Sequence, residues 1–293
     1  MARRSAQKEK ETIMATHTLP DNLLEYSMRF THLKKTLAPF SGVNDTMIAT
    51  MLGTDVATYY EIQRTFQARV RQSAKELLAD PAFAKLVDRV PFAAGSKVIG
   101  FGSSSTDDSQ SWFEMLRVVF ELRRPQDEIR FVNAGISGDT TTHEITRFST
   151  VVNEQPDWII CHISSNDGRR HGISPTKPLV SPEETEKNLV MLRHFAASQT
   201  HAKWIWMTPT PLIEERMITF PLFALGQTMF YNKDSARIAE AVLKQPDPAV
   251  NLWDLFGHPV DPELVYQDGL HPSLKGHKRI LQALAKDLVK NFS

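Results

Sequence analysis

From Gly95 to the C-terminus the chain repeats one pattern. A short apolar run ends in glycine, serine, asparagine or aspartate, and a longer stretch with apolar residues at helical spacing follows it. Apolar runs without polar alternation suit strands covered on both faces, and the helical stretches between them supply the cover. Strands are expected near 97–101, 129–132, 157–163, 203–207 and 249–253, and helices near 109–123, 141–150, 182–198, 228–244 and 274–290. Such alternation builds a parallel sheet, because each parallel step needs a crossover, and crossovers are right-handed. The expected fold is therefore α/β, a three-layer α/β/α sandwich around a five-stranded parallel sheet of flavodoxin-like type. Ligands of such sheets bind beyond the carboxyl ends of the strands. Chemistry should sit where the runs give way to loops.

The first third reads differently. Residues 1–18 are polar and charged, and are expected to be a disordered tail, with Met14 as an alternative start. Residues 19–94 form a helical extension: apolar residues recur at helical spacing in Leu23-Leu24-Met28, in Met47-Ile48-Met51-Leu52, and from Val56 to Leu78. Asp80-Pro81 stops that last run and starts a short helix through Val87, since proline suits a first helical turn. Pro91 and Gly95 mark the boundary with the catalytic domain expected over 95–293.

Composition excludes several classes of function. Lysine plus arginine and aspartate plus glutamate balance at 34 each, so no net field favours nucleic acid or an anionic membrane surface. Cys161 is the single cysteine, which rules out an internal disulfide and a cysteine-based zinc site; in the run Trp158-Ile159-Ile160-Cys161 it reads as a small buried residue. No apolar h-region follows the charged N-terminus, and no stretch reaches the length of a membrane span. A cytoplasmic protein is the resulting expectation, with its oligomeric state left open.

Four strand ends carry residues with chemical potential. After the first strand, Gly100-Phe101-Gly102-Ser103-Ser104-Ser105-Thr106 turns into a helix, presenting a hydroxyl where free N–H groups and the helix dipole favour developing negative charge. The same serines also suit a simple helix cap. After the second, Asn133-Ala134-Gly135-Ile136-Ser137-Gly138-Asp139-Thr140 is a glycine-bearing turn able to present a backbone N–H to a substrate oxygen, or an ordinary turn into a helix. After the third, Ser164-Ser165-Asn166-Asp167-Gly168 offers an amide side chain, although Asn-Asp-Gly is also good turn chemistry. After the last, Asp268-Gly269-Leu270-His271 spaces a carboxylate and an imidazole so that the acid can hold Nδ1–H and leave Nε2 facing a hydroxyl. Each piece has a bland explanation. Together they bring to one rim what acyl transfer needs.

In this order the four segments resemble the blocks of the SGNH hydrolase (GDSL-like lipase/esterase) superfamily, over about residues 97–290. The resemblance implies Ser104 as nucleophile, with Ser103 standing where the family usually has aspartate. It further implies an oxyanion hole made by the N–H groups of Ser104 and Gly138 with the side chain of Asn166, where Ser164 replaces the usual glycine of that block. Asp268 and His271 complete the set as the base. The implied activity is hydrolysis of a small-molecule or carbohydrate carboxylic ester through an acyl-enzyme, without metal or organic cofactor. Acyl transfer to another alcohol at the same site, or a weakened catalyst whose N-terminal helices serve DNA or protein binding, are the alternatives.

Three competing readings remain open at this level. Residues 47–64 have the helix, glycine turn and second helix of a helix-turn-helix, although the favoured reading is a plain helical hairpin packing on the catalytic domain or a second subunit. A flavodoxin-like nucleotide or flavin binder would share the fold, yet the first turn lacks Gly-x-Gly-x-x-Gly and Walker patterns. The pairs Asp107-Asp108 and Glu183-Glu184 could be posed as glycosidase acids, but adjacent carboxylates are expected to be solvated residues of helix starts.

Overall fold

The computed structural model describes residues 21–37, 42–172 and 176–292. The tail expected over 1–18 lies outside the described residues. The chain divides into two compact units, Met1–Phe66 and Gln67–Ser293.

Within the first unit the helices Asp21–Phe30, Leu33–Thr36 and Asp45–Met51 precede the first half of the long helix Val56–Leu78. Leu24, Met28, Ile48, Ala49, Tyr59 and Phe66 form its core. The hairpin expected over 47–64 is present: Asn44 caps the first helix by accepting from Met47 N at 3.0 Å, and the turn passes through Gly53 at φ 74°. Asp55 then receives the N–H groups of Ala57 and Thr58 at 2.8 and 3.0 Å, opening the second helix.

The second unit holds a five-stranded sheet of β1 (Lys97–Gly102), β2 (Arg130–Gly135), β3 (Trp158–His162), β5 (Lys203–Met207) and β7 (Ala249–Val250), in the order β2-β1-β3-β5-β7 with all pairs parallel. Side chains alternate between two helical layers, as the period of a strand requires. Val98, Trp158, Ile160 and Ile205 pack with Val70 and Leu77 and with the helices Pro81–Arg89, Trp112–Arg123 and Leu274–Phe292. Ile99, Phe101, Ile159, Cys161 and Trp206 pack with Phe148 and Val151 and with the helices Pro182–Gln199 and Asn232–Leu243. Cover on both faces explains why the strands read as continuous apolar runs. Among the described residues, no helix is long and apolar enough to cross a membrane.

Several boundaries differ from the sequence reading: the second strand runs on to Gly135 rather than ending near 132, and the first helix of the α/β alternation begins at Trp112 rather than near 109. The helix expected over 141–150 is two, Thr141–Thr146 and Phe148–Asn153, broken at Arg147, whose side chain is drawn to partners at the strand ends. The helix expected from 228 begins at Asn232, because Thr228–Met229 forms β6, antiparallel to β4 (Arg170–His171). A two-residue pairing between distant loops has no periodicity to announce it. The last strand stops at Val250 because Asn251 accepts from Asp254 N at 3.1 Å and caps a helix over Leu252–Phe256.

Candidate active site

The site begins where β1 ends. Gly102 sits at φ 142°, and a Cβ there would lie 2.4 Å from the carbonyl oxygen of His162, so this turn tolerates no side chain. The chain then enters a four-residue helix, Ser104–Asp107, closed by Asp107 N to Ser103 O at 2.9 Å and Asp108 N to Ser104 O at 2.8 Å. Ser104 thus stands at the first helical position, where N–H groups lack intrahelical acceptors. Its side chain is mostly buried.

His271 Nε2 lies 2.9 Å from Ser104 Oγ, and His271 Nδ1 lies 2.5 Å from Asp268 Oδ2. The other carboxylate oxygen of Asp268 accepts from Leu270 N at 2.9 Å and from His271 N at 3.0 Å. Burial works against charge on Asp268, yet the imidazole and these N–H donors outweigh it and hold the carboxyl below its ordinary range. With Nδ1–H given to the carboxylate, the lone pair of Nε2 faces the serine hydroxyl. The loop that carries them is pinned by Tyr266 N to His271 O at 2.7 Å and by Ile213 N to Gly269 O at 2.9 Å.

The second and third strand ends close against the first. Gly138 adopts φ 88° in the loop after β2. Ser137 donates N–H and hydroxyl to Asp107 at 3.0 and 2.8 Å, and Ile136 N donates to Gly102 O at 3.1 Å. Asn166 Nδ2 donates to Asp139 O at 2.8 Å, which spends one of the two amide hydrogens and leaves the other. Ser164 accepts from Asn166 N at 3.3 Å and sits at φ −102°, a conformation open to any residue, so the position does not need glycine. Asp167 receives Thr141 N, Thr141 Oγ1 and Thr185 Oγ1 at 2.8, 2.6 and 2.7 Å, binding the third loop to two helices.

Ser104, Ser164, Asn166, Thr210, Leu270 and His271 line a small cleft with an enclosed volume of about 20 Å3. Asp268 stands behind His271, fully buried. Gly138 immediately precedes Asp139, whose carbonyl accepts from the Asn166 side chain that lines the cleft. Of the five sequence-predicted residues, Ser104, His271 and Asp268 are linked in series, and Asn166 lines the same cleft. His162 also borders the cleft, and burial together with the neighbouring His277 lowers its pKa to about 3, so it is neutral.

Several contributors were invisible in the sequence. Arg147 donates to Asp139 at 2.5 Å, Ala134 O at 2.6 Å and Gly102 O at 2.8 Å, and its guanidinium lies 4.5 Å over the Phe101 ring. Asp107 and Asp108 are buried rather than solvated: the first holds Ser137, and the second accepts from His277 Nε2 at 2.9 Å. Because His277 Nδ1 accepts from Trp112 N at 3.2 Å, this second Asp–His pair is locked into the scaffold. Glu183 and Glu184 are exposed in a first helical turn, as expected. The Cys161 thiol is buried and its pKa is pushed up by that burial, which makes it a packing residue.

A serine, histidine and aspartate linked in series at the carboxyl edge of a parallel α/β sheet define the serine-hydrolase class of α/β protein. The chain belongs to the GDSL-like lipase/acylhydrolase family, whose model matches residues 95–279. Among curated proteins it is 30% identical over 129 residues to the uncharacterized lipoprotein YqeF of Bacillus subtilis, an alignment covering 40% of this chain and 49% of YqeF. It is 25% identical over 180 residues to esterase TesA of Pseudomonas aeruginosa, covering 60% of this chain and 77% of TesA. The chain thus spans about half the length of YqeF. Among solved structures it resembles LAE5, an alpha/beta hydrolase enzyme from the metagenome of Lake Arreo, with TM-score 0.52 and 26% identity over 70% of this chain and 100% of LAE5. A variant of Axe2, an acetyl xylan esterase from Geobacillus stearothermophilus, shares the fold with TM-score 0.51 and 20% identity, over 67% of this chain and 96% of Axe2.

Proposed function

We propose that this chain hydrolyses carboxylic esters through an acyl-enzyme on Ser104. The observation that carries the proposal is the series of contacts from Ser104 Oγ to His271 Nε2 at 2.9 Å and from His271 Nδ1 to Asp268 at 2.5 Å. His271 takes the hydroxyl proton as Oγ bonds to the ester carbonyl carbon. The carbonyl oxygen becomes an oxyanion, received by the N–H groups of Ser104 and Gly138 and by the remaining amide hydrogen of Asn166. As the intermediate collapses, the bond to the alcohol oxygen breaks and His271 returns the proton to the leaving alcohol. Water, deprotonated by His271, then releases the acid and restores Ser104. Asp268 keeps the imidazole in the required tautomer and offsets the imidazolium charge.

The enclosed space beside Ser104 is only about 20 Å3, far below the roughly 300 Å3 or more of pockets that enclose drug-sized ligands, which supports a short acyl group. The test is hydrolysis of p-nitrophenyl acetate and butyrate by the wild type and by Ser104→Ala, together with mass-spectrometric mapping of a fluorophosphonate adduct. The proposal expects labelling at Ser104 and loss of turnover in the alanine variant. Wild-type rates after that substitution, or a label on Ser103 or Ser105, would overturn it.

A further inference from the structure

Four partly buried arginines of the α/β unit have carboxylate partners, and another, Arg216, donates to the carbonyls of Pro262 and Val265 at 3.2 and 3.3 Å. Arg147 meets Asp139 at 2.5 Å, Arg124 meets Asp127 at 2.5 Å, Arg170 meets Asp234 at 2.7 Å and Arg193 meets Asp247 at 2.7 Å. Arg169 has none among the described residues. It is half-buried, its Nε is shut off from solvent with no hydrogen-bond partner, and its one polar side-chain contact is Nη2 to Gly138 O at 3.5 Å, the outer limit of a hydrogen bond. A guanidinium taken out of water without a counter-charge is costly, and packed arginines normally resolve that cost with a carboxylate or a phosphate. Burial is the one influence on its ionisation, lowering its pKa with no neighbouring acid to oppose it.

Its position gives the missing partner a place. The N–H of Arg169 bonds to Asn166 O at 3.1 Å, and its guanidinium packs against Gly138, with Nη1 3.7 Å from where a Cβ would project. The cation therefore stands beside Gly138, one of the residues assigned to the oxyanion, while its backbone is tied to Asn166, whose side chain lines the cleft that holds Ser104. We propose that Arg169 is a specificity-determining residue that binds an anionic group on the ester substrate, a carboxylate or phosphate on either its acyl or its alcohol part. This rests on the esterase reading above and narrows it from esters in general to anionic esters. A fork of N–H donors fits such a group in two-pronged fashion.

The test compares matched ester pairs in a pH-stat: monomethyl glutarate against methyl pentanoate for charge on the acyl side, and acetoxyacetate against ethyl acetate for charge on the alcohol side. The wild type is expected to prefer the charged member of one pair, and the pair identifies the side. Arg169→Gln should lower kcat/KM for that charged ester about 10- to 100-fold more than for its neutral partner, chiefly through KM, as loss of a charge-assisted hydrogen bond does. Arg169→Lys should restore part of the preference, and added salt should weaken it at the exposed rim. Equal losses for charged and neutral esters, or no preference in either pair, would overturn the inference while leaving Ser104-dependent hydrolysis intact. Wild-type turnover by Ser104→Ala would instead overturn the esterase reading itself. Should Arg169→Gln fold poorly, competitive inhibition of the wild-type enzyme by glutarate but not by pentanol, or its absence, decides the same question.

Discussion

The guanidinium of Arg147 donates to the Gly102 carbonyl at 2.8 Å while holding the Asp139 carboxylate at 2.5 Å. One side chain thus fastens the turn that carries Ser104 to the loop that receives Asn166. Burial pushes the Asp139 carboxyl up, and the neighbouring arginine works against that push. Arg147→Met leaves a half-buried carboxylate and two strand-end carbonyls without their donor. The expected cost is about 1–3 kcal/mol by urea unfolding, as for polar groups left unsatisfied, with a fall in kcat that exceeds the change in KM.

Asn166 divides its amide between the Asp139 carbonyl and the cleft. Asn166→Ala removes both the scaffold bond and an oxyanion donor. The expected loss in kcat is about 10²- to 10³-fold, with a smaller change in KM, because the missing bond forms in full only at the transition state. Steady-state kinetics on p-nitrophenyl acetate measures it.

Asp268→Asn keeps the shape of the loop but offers His271 Nδ1 the wrong partner or tautomer. Turnover should fall roughly 10⁴-fold, as in other triads treated this way, with fluorophosphonate labelling slowed in parallel. The wild-type carboxyl is held below its ordinary value of 3.8, so its contribution to stability is complete above that pH and is lost as pH falls through the folded-state pKa. The acid arm of a stability profile should therefore steepen below that point, and less so in the asparagine variant.

Glu144 presents the opposite sign. It is fully buried, Oε2 has no hydrogen-bond partner, and burial raises its pKa well above 4.5, against a smaller opposing pull from Arg147. The folded state therefore holds a proton that the unfolded chain gives up, and this residue costs stability as pH rises above 4.5. Glu144→Gln should flatten that decline, so urea midpoints at about pH 5 and about pH 8 should lie closer together than in the wild type.

Gly102→Ala places a methyl 2.4 Å from the His162 carbonyl at a φ of 142°. Gly95, with φ 75° and nothing near its missing Cβ, carries backbone strain alone. Alanine at 102 should therefore destabilise the protein more than alanine at 95, and should also cost activity, because the turn it distorts aims Ser104. Thermal unfolding of the two variants gives the comparison.

Much of the scaffold was legible because it depends on patterns that are local in sequence. Apolar runs buried on both faces announced five strands, small polar residues at their ends announced loops, and the resemblance of those loops to the SGNH blocks singled out Ser104, Gly138, Asn166, Asp268 and His271. The pairing of Thr228–Met229 with Arg170–His171 could not, since two residues carry no period and their partner comes from another loop. Asp107 and Asp108 misled for a related reason. A carboxylate beside a helix start is normally solvated, and only the packing of Ser137 and His277 upon them shows that these are internal struts.

Thus the sequence by itself determined the α/β alternation, the strand ends and the chemical identities of the groups on the rim. The tertiary structure alone decided their distances: the 2.9 Å from Ser104 to His271, the Arg147 tie between two loops, and the placing of Arg169 beside Gly138 without a counter-ion among the described residues. The physical reason is range. Strand and helix periodicity arises between near neighbours in the chain, whereas the charge and hydrogen-bond partners of a buried group come from segments that meet only after the sheet has assembled.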